Sequence, residues 1–395
     1  MTASYRWVIL ALTIVAFMQT HVHRLAFAPL IPTFVADMGL GYTAAGTIQT
    51  AYFWTYMTAQ LPIGLATDRW GARRVMLTCF VILIVGGAWF AASASYAASL
   101  VARMLVGLGA AAVWVPGMRL MAEWFPAAER GRATGMMSAG GGIGGTVGLV
   151  LVPWLATFWG WRLAYGVLVV PAVLTFVLIA VFLRGGEATT AAAVRPGALR
   201  RVLASHALWP FNLSVIFSYG AYFSFLTFLP AYLVKSLGFG ATQAGLVTGL
   251  ITAGTIISWP AAGVLSDRLG RRKALFLASQ GVSVLVPLAF AFVAPQVGMP
   301  ATMAIAFISG LLVGGLILPF VMIVELFPRE DAATASGVAN SACFVGGIVL
   351  PIVFGRIVDV TGSFTIAFVV AAALQAIAFV FALGVKEATP VALQR

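Results

Sequence analysis

The stretch GLATDRWGARR, Gly64 to Arg74, returns as GVLSDRLGRRK, Gly263 to Lys273, at an offset of 199 residues. Each copy sets an Asp-Arg pair, Asp68-Arg69 or Asp267-Arg268, ahead of a glycine and a basic doublet, Arg73-Arg74 or Arg272-Lys273. Two further blocks repeat in the same order. GLGYTAAG from Gly39 matches GFGATQAG from Gly238 at that offset, and WFPAAERGRATG from Trp124 matches LFPREDAATASG from Leu326 at an offset of 202. Three aligned blocks mark a chain built from two similar halves, and the intervening sequence is almost entirely apolar.

Of the 395 residues, 62% are hydrophobic and 9% charged, against about 45–50% and about 25% in a soluble domain. That composition excludes a soluble globule. The apolar runs read as twelve membrane helices, near 7–35, 43–67, 74–94, 96–124, 132–160, 162–183, 207–235, 242–265, 273–294, 299–326, 333–360 and 364–385. The first run lacks a cleavage site after it and reads as a retained span. Residues 184–206 are small, basic and broken by Gly and Pro, as a linker between halves should be. Residues 1–183 then form one six-helix bundle and 207–395 the other. With both termini cytoplasmic, the inner connections collect most of the 23 Lys and Arg, leaving Arg162, Lys235 and Arg356 outside. The net charge of +12 is therefore topological and does not point to nucleic acid. Cys79 and Cys343 lie far apart inside apolar runs, and His21, His23 and His206 are the only histidines. Neither a disulfide nor a metal site is indicated, and no nucleotide motif or nucleophile–base pair suggests a pump or an enzyme. No cofactor is expected.

Because six spans return the chain to its starting side, the two halves have parallel orientation. The expected fold is an all-α polytopic membrane protein, with twelve transmembrane helices in two pseudo-symmetric six-helix bundles. The repeated Gly-x-x-x-Asp-Arg-x-Gly-x-Arg-Arg/Lys motif, complete in both halves, resembles the signature of the major facilitator superfamily. That resemblance implies a transporter whose motif residues Asp68, Arg69, Arg73, Arg74, Asp267, Arg268 and Arg272 form cytoplasmic latches. Glu123 with Arg130, and Glu325 at the matching place, are expected to join them as helix-end pairs.

Cations inside a bilayer are costly, by about 2.5–3.5 kcal/mol on insertion scales. Arg24, Arg103 and Arg119 nevertheless fall within spans, Arg119 only about a turn from an end, whereas the carboxylates lie near span ends or in connections. Arg24 and Arg103 without a fixed counter-charge favour an anionic substrate. HRLAFAPLIP around Arg24 resembles the start of the anion:cation symporter branch, with His23 in place of its Asp. ARMLVGLGAA carries that branch's span-4 arginine at Arg103, but Ala110 stands where the branch often has a Glu. Arg103 in Arg-x-x-x-Gly-x-Gly also resembles the more structural arginine of proton-linked exporters. Against that rival, SAGGGIGGTVGLVLVP in span 5 lacks the exporters' Gly-Pro.

Helical spacing puts Gln19, Thr20, His23, Arg24 and Phe27 on one face and turns His21 away, so His23 is the expected proton or substrate ligand, with packing as its structural alternative. Tyr52 and Tyr56 in span 2, Tyr219 and Tyr222 beside Gly220 in span 7, and Asn340 in span 11 complete the expected site. The expected function is secondary transport of a small organic anion by alternating access, as symporter or exchanger, with protons as candidate co-substrate. The protein is expected to be a monomer in the lipid bilayer of the inner membrane. The alternative is a proton-coupled exporter of hydrophobic or cationic compounds.

Overall fold

The computed structural model describes residues 5–184 and 197–387. Among them the chain is helical, with no strand. Ten helical stretches are long and apolar enough to cross a bilayer. One of them, Glu129–Phe182, is 54 residues long and divides at Gly160, whose φ of 72° breaks the helix into two spans. A further helix of 29 residues, Tyr42–Trp70, carries Gln49, Tyr52, Tyr56 and Gln60 and is correspondingly less apolar. The twelve spans are α1 (Tyr5–Met38), α2 (Tyr42–Trp70), α3 (Ala72–Ala92), α4 (Tyr96–Trp124), α5 (127–159), α6 (161–182), α7 (Leu208–Lys235), α8 (Ala241–Leu269), α9 (Arg272–Gln296), α10 (Met299–Ile323), α11 (Arg329–Thr361) and α12 (Phe364–Leu383).

Local chemistry sets the ends. Ser95 and Ser363 cap α4 and α12 by accepting from the amides of Ala98 and Ile366. Gly71 and Gly270, the motif glycines, hold φ values of 80° and 59° in the tight turns after α2 and α8, a region that L side chains rarely adopt. The positive-φ glycines of the spans keep the sequence repeat: Gly39 with Gly238, Gly71 with Gly270 and Gly160 with Gly362. Backbone conformation thus repeats with the residues. The first span is not the single helix expected. It stops at Leu25, makes a 3₁₀ turn over Ala28–Leu30 and resumes at Ile31–Met38, because Pro29 and Pro32 cannot donate to the preceding turn. The linker also holds a short helix, Ala198–Ala204, while Arg195 lies outside the described residues.

The chain divides into two compact units, Met1–Ala191 with Pro230–Gly249, and Ala192–Leu229 with Leu250–Arg395. The sequence division differs by the segment from Pro230 to Gly249. In unit 1 that segment meets α5, where a Cβ at Gly245 would lie 2.2 Å from the Leu149 carbonyl oxygen. Unit 1 is centred on Ile9, Phe17, Met76, Phe80, Leu120 and Met137, and unit 2 on Phe211, Val215, Phe276, Leu318, Met322 and Ala339. Large apolar side chains are also exposed in number, among them Phe158, Leu163, Val170, Leu174 and Val181 on α5 and α6. An apolar exterior around an apolar core is what a lipid solvent permits.

Candidate functional site

Breaking α1 after Leu25 leaves helix-terminal carbonyls in mid-span, and lipid provides no water to satisfy them. Val22 O accepts from the Ala26 amide. The next two are served by side chains. Arg103, 0% exposed, donates from Nη1 to His23 O at 2.7 Å and from Nη2 to Arg24 O at 3.4 Å. It also donates to Tyr165 Oη at 3.1 Å and Gln49 Oε1 at 3.3 Å, and Gln49 Nε2 donates to Arg24 O at 3.3 Å. The rings of Tyr52, Phe27 and Phe90 surround the guanidinium at 5.4–5.8 Å. A cation facing the negative end of a helix dipole and three aromatic rings is tolerated without a carboxylate. Arg103, expected to bind substrate, therefore caps the break in α1. Gln49 and Tyr165 were not foreseen; lone polar residues in apolar runs were their only signal.

Arg24 stays partly exposed, with its guanidinium carbon 4.8 Å from the Phe53 ring centre. His23, expected as a proton or substrate ligand or else as a packing residue, is 0% exposed and stacks on Tyr165 at 5.8 Å, and Nε2 would lie 3.8 Å from a Cβ at Gly87. It points into the α1–α3–α6 packing because the helix turns it away from the open side. The partly exposed residues on α1 include His21 and Arg24, and His21 packs on Phe17, with ring centres 4.4 Å apart. Positions 17, 21 and 24 follow i, i+4, i+7 spacing, so they form one stripe. Tyr52 and Tyr56 are buried and stacked at 5.7 Å, with Tyr52 Oη donating to Thr20 O at 3.4 Å.

In unit 2, Tyr219 and Tyr222 are partly exposed and Asn340 is exposed. Tyr219 Oη donates to Leu316 O at 3.3 Å and its ring meets Phe320 edge-on. Tyr222 lines a cavity of about 20 Å³ with Ser283, Ser309 and Gln375. Beside it is a buried polar network absent from the sequence expectations: Gln280 Nε2 donates to Gln375 Oε1 at 2.8 Å, Ser218 Oγ to Gln280 Oε1 at 3.1 Å, and Gln375 Nε2 to Ser218 O at 3.1 Å. These side chains satisfy each other and join α7, α9 and α12.

The two motif copies form different ion clusters. In unit 1, Arg119 pairs with both Asp68 and Glu123. Arg73 donates to Ala180 O, and Arg130, expected to pair with Glu123, instead donates to Phe125 O and Ala122 O at the end of α4. In unit 2, Arg272 holds Asp267 and Glu325, both at 2.9 Å. Val321 occupies the place of Arg119 at the 202-residue offset, so the loop arginine takes both carboxylates there. Arg69, Arg74 and Arg268 are exposed. Arg119→Ala and Arg272→Ala are expected to cost about 1–2 kcal/mol each, more than an isolated surface pair. Arg73→Ala and Arg268→Ala should change stability far less. Melting temperatures of the four variants check this, and an Arg73→Ala loss equal to that of Arg119→Ala would contradict it.

The sequence model described as Major Facilitator Superfamily matches residues 8–240 and 211–394. A probable sulfoacetate transporter of Cupriavidus necator is 26% identical, over 93% of this chain and 91% of that one. A nitrite extrusion protein of Bacillus subtilis is 25% identical, over 81% and 80%. Among solved structures, a bacterial homolog of the human lysosomal transporter Spinster, in an inward-facing and occupied conformation, superposes with a TM-score of 0.78 at 17% identity, covering 97% of both chains.

Proposed function

The chain belongs to the Major Facilitator Superfamily, and from that premise we propose that it moves a small organic anion through the cytoplasmic membrane by alternating access. It is an integral membrane transporter and not an enzyme. The observation that carries the anion reading is the contrast between its two deep arginines. Arg103 has four neutral acceptors within the bundle, whereas Arg24 keeps an exposed side in a chain whose carboxylates all sit near span ends or in connections. Arg24 holds the anionic group, with Tyr56 beside it; within unit 2, Tyr219, Tyr222 and Asn340 are proposed as polar substrate ligands. The protein acts as a monomer, as symporter or exchanger, with both termini cytoplasmic and the two ion clusters working as cytoplasmic latches. The sulfoacetate relative supports an organic acid, and the nitrite relative supports a small anion more generally.

A thermal-shift panel on purified protein tests this, using sulfoacetate, D-glucarate, D-glucuronate, nitrite and a lipophilic cation. At least one organic anion should raise the melting temperature of the wild type. Arg24→Ala should weaken its binding by about 2–4 kcal/mol, roughly thirty- to eight-hundred-fold, without matching loss of stability in the unliganded protein. Stabilisation by the cation alone would support the exporter reading instead, and stabilisation by nitrite alone would narrow the cargo to inorganic anions.

A further inference from the structure

His21 lies on the same helical stripe as Arg24, one turn earlier. Both described hydrogen bonds of its ring belong to Nδ1, at 3.1 Å from Phe17 O and 3.2 Å from Thr20 Oγ1. A carbonyl oxygen can only accept, so Nδ1 carries the hydrogen and donates. Thr20 Oγ1 donates its own hydrogen to Phe17 O at 2.8 Å, which leaves its lone pair for Nδ1–H. The tautomer is therefore fixed, and Nε2 holds the free lone pair of the neutral ring. Phe17 packs edge-on against the imidazole and, on its other side, meets Trp114 of α4 at 5.4 Å. On α5 the Phe17–His21 pair meets Gly141, where an added Cβ would lie 2.8 Å from Phe17 Cε1 and 3.1 Å from Nε2 and Cε1 of His21.

From this geometry we infer that His21 and Arg24 form one anion site, in which Nε2 takes up a proton as the anion binds, so that one proton accompanies each anionic group. This rests on the anion reading above. The charged group acting on His21 is Arg24. Neither Gly141 on α5 nor the Phe17–Trp114 pair brings another charge to the ring. An imidazolium beside Arg24 attracts an anion more strongly than Arg24 alone, and by linkage the bound anion favours the imidazolium to the same degree. In the step a proton from water bonds to Nε2, turning its lone pair into a second N–H donor. The added positive charge cancels one negative charge on the cargo, so a monoanion travels with its proton without net charge from this pair. Coupling then needs no carboxylate, which fits Ala110 in span 4.

The test measures the affinity of the same four anions at about pH 6 and about pH 8, a range in which all of them stay ionised. For any anion that binds, the wild type should bind about tenfold more tightly at the lower pH. His21→Gln should retain binding but vary by less than about twofold between the two pH values. His23→Gln should leave the dependence intact. Equal affinity of the wild type at the two pH values overturns the proton site while leaving Arg24 as the anion ligand, and so does an undiminished pH dependence in His21→Gln. Failure of every anion to bind at either pH removes the anion reading and the proton site with it.

Discussion

Arg103→Ala is expected to destabilise the first bundle by about 2–4 kcal/mol rather than to remove a substrate contact. The variant leaves Gln49 Oε1 and Tyr165 Oη without the guanidinium and removes the 2.7 Å donor to His23 O, while Gln49 Nε2 and Tyr165 Oη still reach Arg24 O and His23 O at 3.3 and 3.4 Å. Each buried acceptor deprived of its partner costs about 1–3 kcal/mol. Part of this is offset, because a desolvated cation also disappears. The dipole at the end of α1 and the surrounding rings reduce the original cost of that cation, so the offset is smaller than the loss. Arg103→Met separates the contributions: it fills the space and removes the charge, yet leaves the acceptors unsatisfied, and should fall between alanine and wild type. Arg103→Lys keeps the charge but replaces a planar fork with a single ammonium that cannot reach both α1 carbonyls and Gln49 together. The readout is the melting temperature of the unliganded protein. A direct anion ligand would behave in the opposite way, with Arg103→Ala leaving that temperature unchanged and abolishing only the anion-induced shift.

This result matters for Arg24 as well. Arg103 and Gln49 hold the Arg24 carbonyl, so they set where the Arg24 side chain leaves the helix. Transport should fall in Arg103→Ala because Arg24, the proposed anion ligand, is misplaced, even though Arg103 itself is buried. Two arginines that look alike in the sequence thus have different tasks, one structural and one proposed for binding.

The duplicated motif, the runs between its copies and the glycine turns were all readable because they depend on residue type and spacing. The tight turns need glycine at Gly71 and Gly270 wherever the helices go. What sequence could not convey was which side of α1 packs. His23 and Arg24 lie on one continuous helix, Tyr5–Leu25, and neighbours chosen by spacing alone carry no information about which of its faces the bundle covers. Arg119 shows the same limit. It stands about one turn from a span end, and Asp68 near the end of α2 and Glu123 one turn along α4 both converge on it. Likewise the Gln280–Gln375 pair comes from spans 95 residues apart, a juxtaposition that no local pattern encodes.

Glycine pairs at the 202-residue offset separate packing from propensity. Gly144 and Gly346 are equivalent, and a Cβ at either would lie 2.1 Å from Met18 O or 2.0 Å from Ile216 O. Those obstacles are backbone atoms of α1 and α7, so relief requires the helices to part by about 1 Å, with loss of contacts along the whole crossing. Gly135 and Gly337 are equivalent at the same offset, on the same two helices, and a Cβ there meets nothing within 4 Å. Gly346→Ala is therefore expected to cost about 3 kcal/mol or more and Gly144→Ala a similar amount. Gly135→Ala and Gly337→Ala should instead be neutral or gain up to about 1 kcal/mol from helix propensity. Because Gly144 and Gly346 belong to different units, their combined cost should be close to additive. Thermal melts of the four single variants and the Gly144→Ala/Gly346→Ala double variant decide the matter. A tolerated Gly346→Ala would show that α7 and α11 can separate easily, and the α7–α11 pair could then not serve as a rigid lever in the proposed alternating access.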